Sequence, residues 1–278
     1  MILVVDSGST KADWRLIDEN HQIIGFQTAG LNPYFIKSED LVKEVSQNFP
    51  VTYNKNTIIR IIFFGAGCST SSKKEIIYEG LSYLFPSAHI EIETDMFGAS
   101  KALFENQKGI SIILGTGSNS CLWNGESIES NSPSLGYILG DEGSGAHLGM
   151  TLLKRYLNNE LPCELKTLLE DQYPISRDNI LENVYRKPNP NRYLAQYTYF
   201  LKDTIHNPYI RFLVSECFLE FIDKHVKVFD NYTDYKVRCI GSVAHQFKDI
   251  LLECALAGEI EIDKILQSPI DSLVQQYL

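Results

Sequence analysis

The stretch VVDSGSTKADW, residues 4–14, decides how the chain is read. Four apolar residues, Ile2, Leu3, Val4 and Val5, run into Asp6, and Ser7, Gly8, Ser9, Thr10 and Lys11 follow. The chain then alternates: Ala12, Trp14 and Leu16 fall on one side, and Asp13, Arg15 and Ile17 on the other. Period two predicts a strand. A polar turn, ENHQ, leads to a third strand, QIIGFQTAG. The Gly8 run therefore joins two antiparallel strands. A Walker loop or a dinucleotide fingerprint would open a helix instead, so a phosphate held here is held by a hairpin.

Working outward, KSEDLVKEVSQNF (37–49) has helical spacing, and IIRIIFFGAG (58–67) is a continuous apolar run suited to a strand buried on both faces. SSKKEIIYEGLSYLF (71–85) predicts a helix, HIEIETD (89–95) a strand ending on Asp95, and MFGASKALFENQ (96–107) another helix. Then the pattern restarts. SIILGTGSNSCLW (111–123) lies over ILVVDSGSTKADW (2–14) at a shift of 109, with Gly117 on Gly8, Ser118 on Ser9, Trp123 on Trp14 and Gly115 on Asp6. KVRCIGSVA (236–244) echoes RIIFFGAG, and EIEIDKIL (259–266) echoes HIEIETD. HQFKDILLECALAG and PIDSLVQQYL read as helices, and residues 143–233 as a helical insertion. A duplication is expected, with one lobe over 1–109, joined by the closing helix at 268–278, and a second over 110–267 that carries the insertion.

Bulk properties narrow the function. The 278 residues are 44% hydrophobic and 22% charged, the range of a chain with a packed core. A net charge of −10 argues against nucleic acid or an anionic membrane as partner. The first apolar run is too short for a secretory signal or a membrane span. Six scattered cysteines without a CxxC pair suit reduced thiols in a cytoplasmic protein. The six histidines lack metal-ligand spacing, so no structural zinc is expected.

Each glycine hairpin offers backbone N–H groups and hydroxyls beside a small residue that lets an oxyanion approach. Either alone suits an ordinary tight turn; the pair, with Asp6 before one and Thr10 and Lys11 after, suits nucleotide phosphate. At these residues the chain resembles the sugar kinase, Hsp70 and actin superfamily. Asp6-Ser7-Gly8-Ser9-Thr10-Lys11 resembles its first phosphate loop, Leu114-Gly115-Thr116-Gly117-Ser118 its second, and Ile240-Gly241-Ser242-Val243-Ala244 its adenosine motif. GTGSNS followed by LGYILGDEGSGAHLG (135–149) is similar to the BadF/BadG/BcrA/BcrD-type ATPase family, and within it to N-acetylglucosamine kinases. The resemblance implies an α/β fold of two ribonuclease H-like (actin-like ATPase) lobes, each with a central mixed sheet, and a nucleotide cleft between them. It implies ATP and Mg²⁺ as cofactors, phosphorylation of an amino sugar (N-acetylglucosamine at its C6 hydroxyl) in sugar salvage, and a cytoplasmic homodimer.

The resemblance also distributes roles. Asp95 would be the catalytic base and touch the sugar; on residue type alone it suits a helix N-cap. Asp6 would reach Mg²⁺ through water, or act only as a turn-forming side chain. Lys11 would face phosphate, or merely solvent. Gly115, Thr116, Gly117, Ser118, Gly241, Ser242 and Val243 would hold the nucleotide. Asn32, Gly67, Cys68, Ser69, Gly136, Asp141 and Glu142 would line the sugar site; NP at 32–33 also suits a plain turn, and Cys68 a small buried residue. Two other functions remain open at this point. An ATPase activator of acyl-CoA dehydratases shares the fold but carries a cluster-ligating cysteine before the second phosphate glycines. Here that run is KGISIIL, and Cys121 comes after the loop. A non-catalytic sugar or nucleotide sensor is the third reading.

Overall fold

The computed structural model describes residues 1–278. The chain divides into two compact units. Unit 1 comprises Met1–Gln107, Gly125–Ile128 and Ser268–Leu278; unit 2 comprises Lys108–Asn124 and Glu129–Gln267.

Unit 1 is built on β1 (Ile2–Ser7), β2 (Lys11–Ile17), β3 (Ile23–Ala29), α1 (Ser38–Asn48), β4 (Arg60–Gly65), α2 (Ser71–Leu84), β5 (His89–Thr94) and α3 (Asp95–Phe104). The five strands form one mixed sheet in the order β3-β2-β1-β4-β5. β1, β2 and β3 are joined by hairpins and pair antiparallel; β4 and β5 add in parallel through helical crossovers. Alternation in β2 has the expected result on one face: Ala12, Trp14 and Leu16 are fully buried. The other face is not open. Asp13 is buried there and satisfied by Gln27 Nε2 at 2.6 Å and Lys11 Nζ at 2.9 Å. Trp14 stacks on Phe26 at 5.2 Å and its Nε1–H donates to Thr28 Oγ1 at 3.1 Å, so its polar end has a partner inside the core.

Unit 2 repeats the plan with β6 (Gly109–Leu114), β7 (Ser118–Trp123), β8 (Ile128–Asn131), α4 (Gly136–Leu139), α5 (Gly145–Leu157), α6 (Cys163–Gln172), α7 (Arg177–Tyr185), α8 (Pro190–Ala195), α9 (Thr198–Asp203), α10 (Pro208–Phe221), β9 (Val237–Ile240), α11 (Ser242–Gln246), α12 (Lys248–Ala257) and β10 (Ile262–Leu266). Its sheet order, β10-β9-β6-β7-β8, is that of unit 1 written in reverse. The closing helix α13 (Ile270–Val274) packs on α3, β1 and β2 within unit 1. No helix is long and apolar enough to cross a membrane.

The duplication is present, but its register is not the one that residue identity suggests. The last paired residues of the first hairpin are Ser7 and Ala12; those of the second are Leu114 and Ser118. The incoming strands therefore superpose at a shift of 107 and the outgoing strands at 106, with a loop one residue shorter in unit 2. Gly8 and Gly115 occupy the same place: each opens its loop and donates its N–H to the last loop carbonyl, Lys11 O and Gly117 O, both at 3.0 Å. The match of Gly117 with Gly8, and of the two tryptophans, is coincidence of type. β8 was not anticipated, because IESN has no apolar alternation to announce it.

Candidate active site

In unit 1 the first phosphate-loop candidate is braced from below. Ser7 Oγ, fully buried, accepts the Leu31 N–H at 3.0 Å, and Gly30 N–H donates to Thr10 O at 3.0 Å. Gly30 lies so close to the loop that a Cβ there would stand 2.4 Å from Gly8 O. Asn32 is 8% exposed, with its amide fixed at both ends: Nδ2 donates to Ser9 Oγ at 3.2 Å and Oδ1 accepts from Tyr34 N–H at 3.0 Å. Gly67 passes directly over that amide, at φ +82°. Asn32 thus joins the 8–11 loop to its own turn, as its NP dipeptide also suggested, and packs against Gly67.

Of the two readings of Cys68, sugar contact or small buried residue, its side chain takes the second. Its Sγ is fully buried in the unit 1 core, its N–H donates to Gly65 O at 3.2 Å, and burial pushes the thiol up to about 12. A sugar could meet this residue only through its carbonyl. Ser69 beside it is exposed. Lys11 is exposed and pairs with Asp13.

Two carboxylates stand at the ends of neighbouring elements in this unit. The N-cap of α3 is Thr94, whose Oγ1 accepts Phe97 N–H at 3.1 Å. Asp95 is therefore the first residue of the helix and not its cap, and its Oδ1 accepts Met96 N–H at 2.9 Å. Burial raises the Asp95 carboxyl above its ordinary value, against the pull of backbone N–H groups. Burial, then the charges of Asp95 and Asp13, push Asp6 up to about 7, with Lys11 acting the other way. A desolvated carboxylate among like charges is a place short of positive charge. A hydrated divalent cation, which needs one or two carboxylates, fits these residues.

In unit 2 the second loop, residues 115–117, leans on α5. Gly145 N–H donates to Gly115 O at 2.8 Å and Ala146 N–H to Thr116 O at 3.0 Å. In a trans peptide the N–H points opposite to the C=O, so the Thr116 and Gly117 N–H groups are aimed away from the helix. A Cβ at Gly115 would meet nothing within 4 Å. Ser118 Oγ is buried without a hydrogen-bond partner at the mouth of this loop. These features suit an incoming oxyanion. Gly241, at φ +132°, donates to Leu266 O and passes so near β6 that a Cβ would stand 2.0 Å from Leu114 O. Ser242 is exposed, while the Val243 side chain lies in the core, so Val243 can offer a ligand only its backbone.

The GDEG turn separates its two acids. Asp141, in the left-handed region at φ +55°, lies over the loop, its Oδ2 2.9 Å from where a Gly117 Cβ would be. Burial pushes it up to about 6, opposed by the Ser118 N–H. Glu142 has both oxygens taken within the protein: Oε2 by His225 Nε2 and Oε1 by Lys224 Nζ, each at 2.8 Å. This leaves Asp141 as the open carboxylate of the two. Gly136, at φ +73°, borders open space beside exposed Leu135, Ile138 and Leu139. Burial alone would raise Glu142, but the hydrogen bonds from His225 and Lys224 overcome it and hold the carboxyl at about 2, below its ordinary 4.5. That pairing stabilises the fold above about pH 4.5 and is lost as pH falls towards about 2. Melting curves of the wild type and Glu142→Gln are expected to converge across that window; a constant gap would contradict the pairing.

Comparison with known proteins follows the same lines. No family model matches the chain. An N-acetyl-D-glucosamine kinase of Dictyostelium discoideum is 27% identical over 168 residues, 55% of this chain and 53% of that enzyme. An N-acetylmuramic acid/N-acetylglucosamine kinase of Clostridium acetobutylicum is 24% identical over 208 residues, covering 71% of this chain and 68% of the enzyme. The chain thus spans about half the length of the first relative and two thirds of the second. A solved structure from Porphyromonas gingivalis, assigned as an N-acetylglucosamine kinase, is 36% identical, with TM-score 0.94 over 100% of this chain and 98% of its own.

Proposed function

We propose that this chain, which belongs to the N-acetylglucosamine kinase family with its two actin-like lobes, moves the γ-phosphoryl group of ATP onto a hydroxyl of an amino sugar. The observation that carries the reading is the Asp6–Asp95 pair: two raised carboxylates, one near the end of β1 and one opening α3, beside a hairpin against which Gly30 packs closely.

Asp95 acts as the base. The sugar hydroxyl gives its proton to the Asp95 carboxylate as its oxygen bonds to the γ-phosphorus; the bond from that phosphorus to the β–γ bridging oxygen breaks, and ADP leaves with the electron pair. A carboxyl raised by burial is a better proton acceptor than one in water. The hydrogen-bond partners of Asp95 within the protein are backbone N–H groups, with no cation paired to it. Asn32, Gly67 and Ser69 in unit 1, and Gly136 and Asp141 in unit 2, are the candidates for binding sugar. The loops at 8–11 and 115–118, with Gly241 and Ser242, are the candidates for nucleotide. Asp6 would hold Mg²⁺ through water, and the ion when bound supplies positive charge to the phosphates. The proposal extends to N-acetylglucosamine as the sugar, its C6 hydroxyl as acceptor, a cytoplasmic site of action, and a second copy of the chain as partner.

Cys121 is fully buried in β7 and cannot offer a thiolate at a surface, which removes the cluster ligand that an acyl-CoA dehydratase activator requires. ADP release measured over N-acetylglucosamine, N-acetylmuramic acid, glucosamine and glucose tests the proposal. Release that requires an amino sugar is the expected result. Sugar-independent hydrolysis, or binding of sugar and ATP without turnover, would refute it.

A further inference from the structure

Unit 2 holds a buried hydrogen-bond string that the proposed chemistry does not use. His225 is 4% exposed and sits in Ile222–Val226, a wide turn that continues α10 with an i→i+5 bond from Lys227 N–H to Ile222 O. Wide turns of this kind are uncommon and recur at functional sites. On one side of the ring Nε2 meets Glu142 Oε2 at 2.8 Å. On the other, Nδ1 meets Ser132 Oγ at 2.9 Å, Ser132 Oγ meets Ser120 Oγ at 2.9 Å, and Ser120 Oγ closes the loop on His225 O. Phe221 stacks on the imidazole at 5.0 Å.

Ser120 Oγ is the donor within the string, facing Ser132 Oγ and His225 O, and Ser132 Oγ carries it on to Nδ1. The Glu142 carboxylate accepts from Nε2–H. The ring is thus held on both nitrogens. The other charged or titratable groups near this ring are Lys224 on its own turn, Glu220 on α10, His147 on α5 (its Nε2 3.6 Å from Glu220), and Asp141.

We propose that His225 is a positioning residue for the sugar reaction: a buried ring joining Ser132 to Glu142, it fixes the GDEG turn and so aims Asp141. This rests on the reading of Asp141 as a sugar ligand. Glu142 is the next residue in the chain, and Gly143 N–H is held in turn by His147 Nδ1 at 3.0 Å, so the turn is pinned on both sides of the acid pair.

The test is the KM for sugar and for ATP, with the melting temperature, in the full-length wild type, His225→Gln and Ser132→Ala. In His225→Gln a sugar KM raised about tenfold is expected, with little change in the KM for ATP; Ser132→Ala, which removes the Nδ1 contact, is expected to shift the sugar KM in the same direction. An unchanged sugar KM in the folded variants would overturn the proposal. A purely packing role would lower melting temperature and leave the sugar KM alone. Ser132→Ala removes a single hydroxyl, so a His225→Gln chain that fails to fold leaves the test standing. If no amino sugar drives ADP release in the wild type, the proposed function falls; a sugar-dependent wild type with an unchanged sugar KM in the variants refutes the positioning role alone.

Discussion

An Asp95→Asn chain is expected to bind ATP as the wild type does and to turn over roughly 10²–10⁴-fold more slowly. The amide keeps the size of the carboxyl and can still accept the Met96 N–H through its oxygen, so α3 should start as before. Its Thr94 cap is untouched. What is lost is the capacity to take a proton from the attacking hydroxyl. The loss should therefore appear in kcat, with the KM for ATP little changed. Steady-state kinetics with nucleotide titration on the same preparation check this. Turnover near the wild-type rate would remove Asp95 from the chemistry and leave it as a helix residue that burial happens to perturb.

The second large effect is expected at Gly241→Ala. The backbone there is at φ +132°, which side chains rarely adopt, and the added Cβ would stand 2.0 Å from Leu114 O, a main-chain atom of the central strand of unit 2. Neither can yield without moving β6 or the start of α11. A loss of about 3 kcal/mol or more is expected, which for a unit of this size lowers the melting temperature by roughly 6–12 °C. Gly115→Ala is the control. Its Cβ meets nothing within 4 Å, so the fold should hold while ATP affinity drops, because the methyl occupies the open face of the loop. Thermal melts with ATP titration separate the two. Equal melting temperatures for the two variants would contradict the account of Gly241.

The topology was legible because each element rests on local chemistry. Alternation in KADWRLI and the apolar run RIIFFG report how each strand is buried, and the hairpin announced that no helix follows Gly8. Register was less so. A glycine opens a loop wherever the backbone requires it, and matching Gly117 with Gly8 aligned residue types, whereas the ladder aligns Gly115 with Gly8. From TDMFGAS the cap of α3 could be Thr94 or Asp95; the hydrogen bond from Phe97 N–H to Thr94 Oγ1 makes it Thr94. The division of labour between Asp141 and Glu142 was beyond sequence. It is set by Lys224 and His225, more than eighty residues downstream, which no spacing rule connects to a GDEG turn. Cys68 could be read as a sugar contact or as a small buried residue, and its sulfur lies in the core.

The most direct test of the central claim is ³¹P NMR of the purified chain with ATP, Mg²⁺ and N-acetylglucosamine. The expected spectrum gains a sugar phosphomonoester and ADP in equal amounts, with splitting from the two C6 protons and little inorganic phosphate. Inorganic phosphate accumulating at the same rate with and without sugar, and no sugar phosphate, would contradict it.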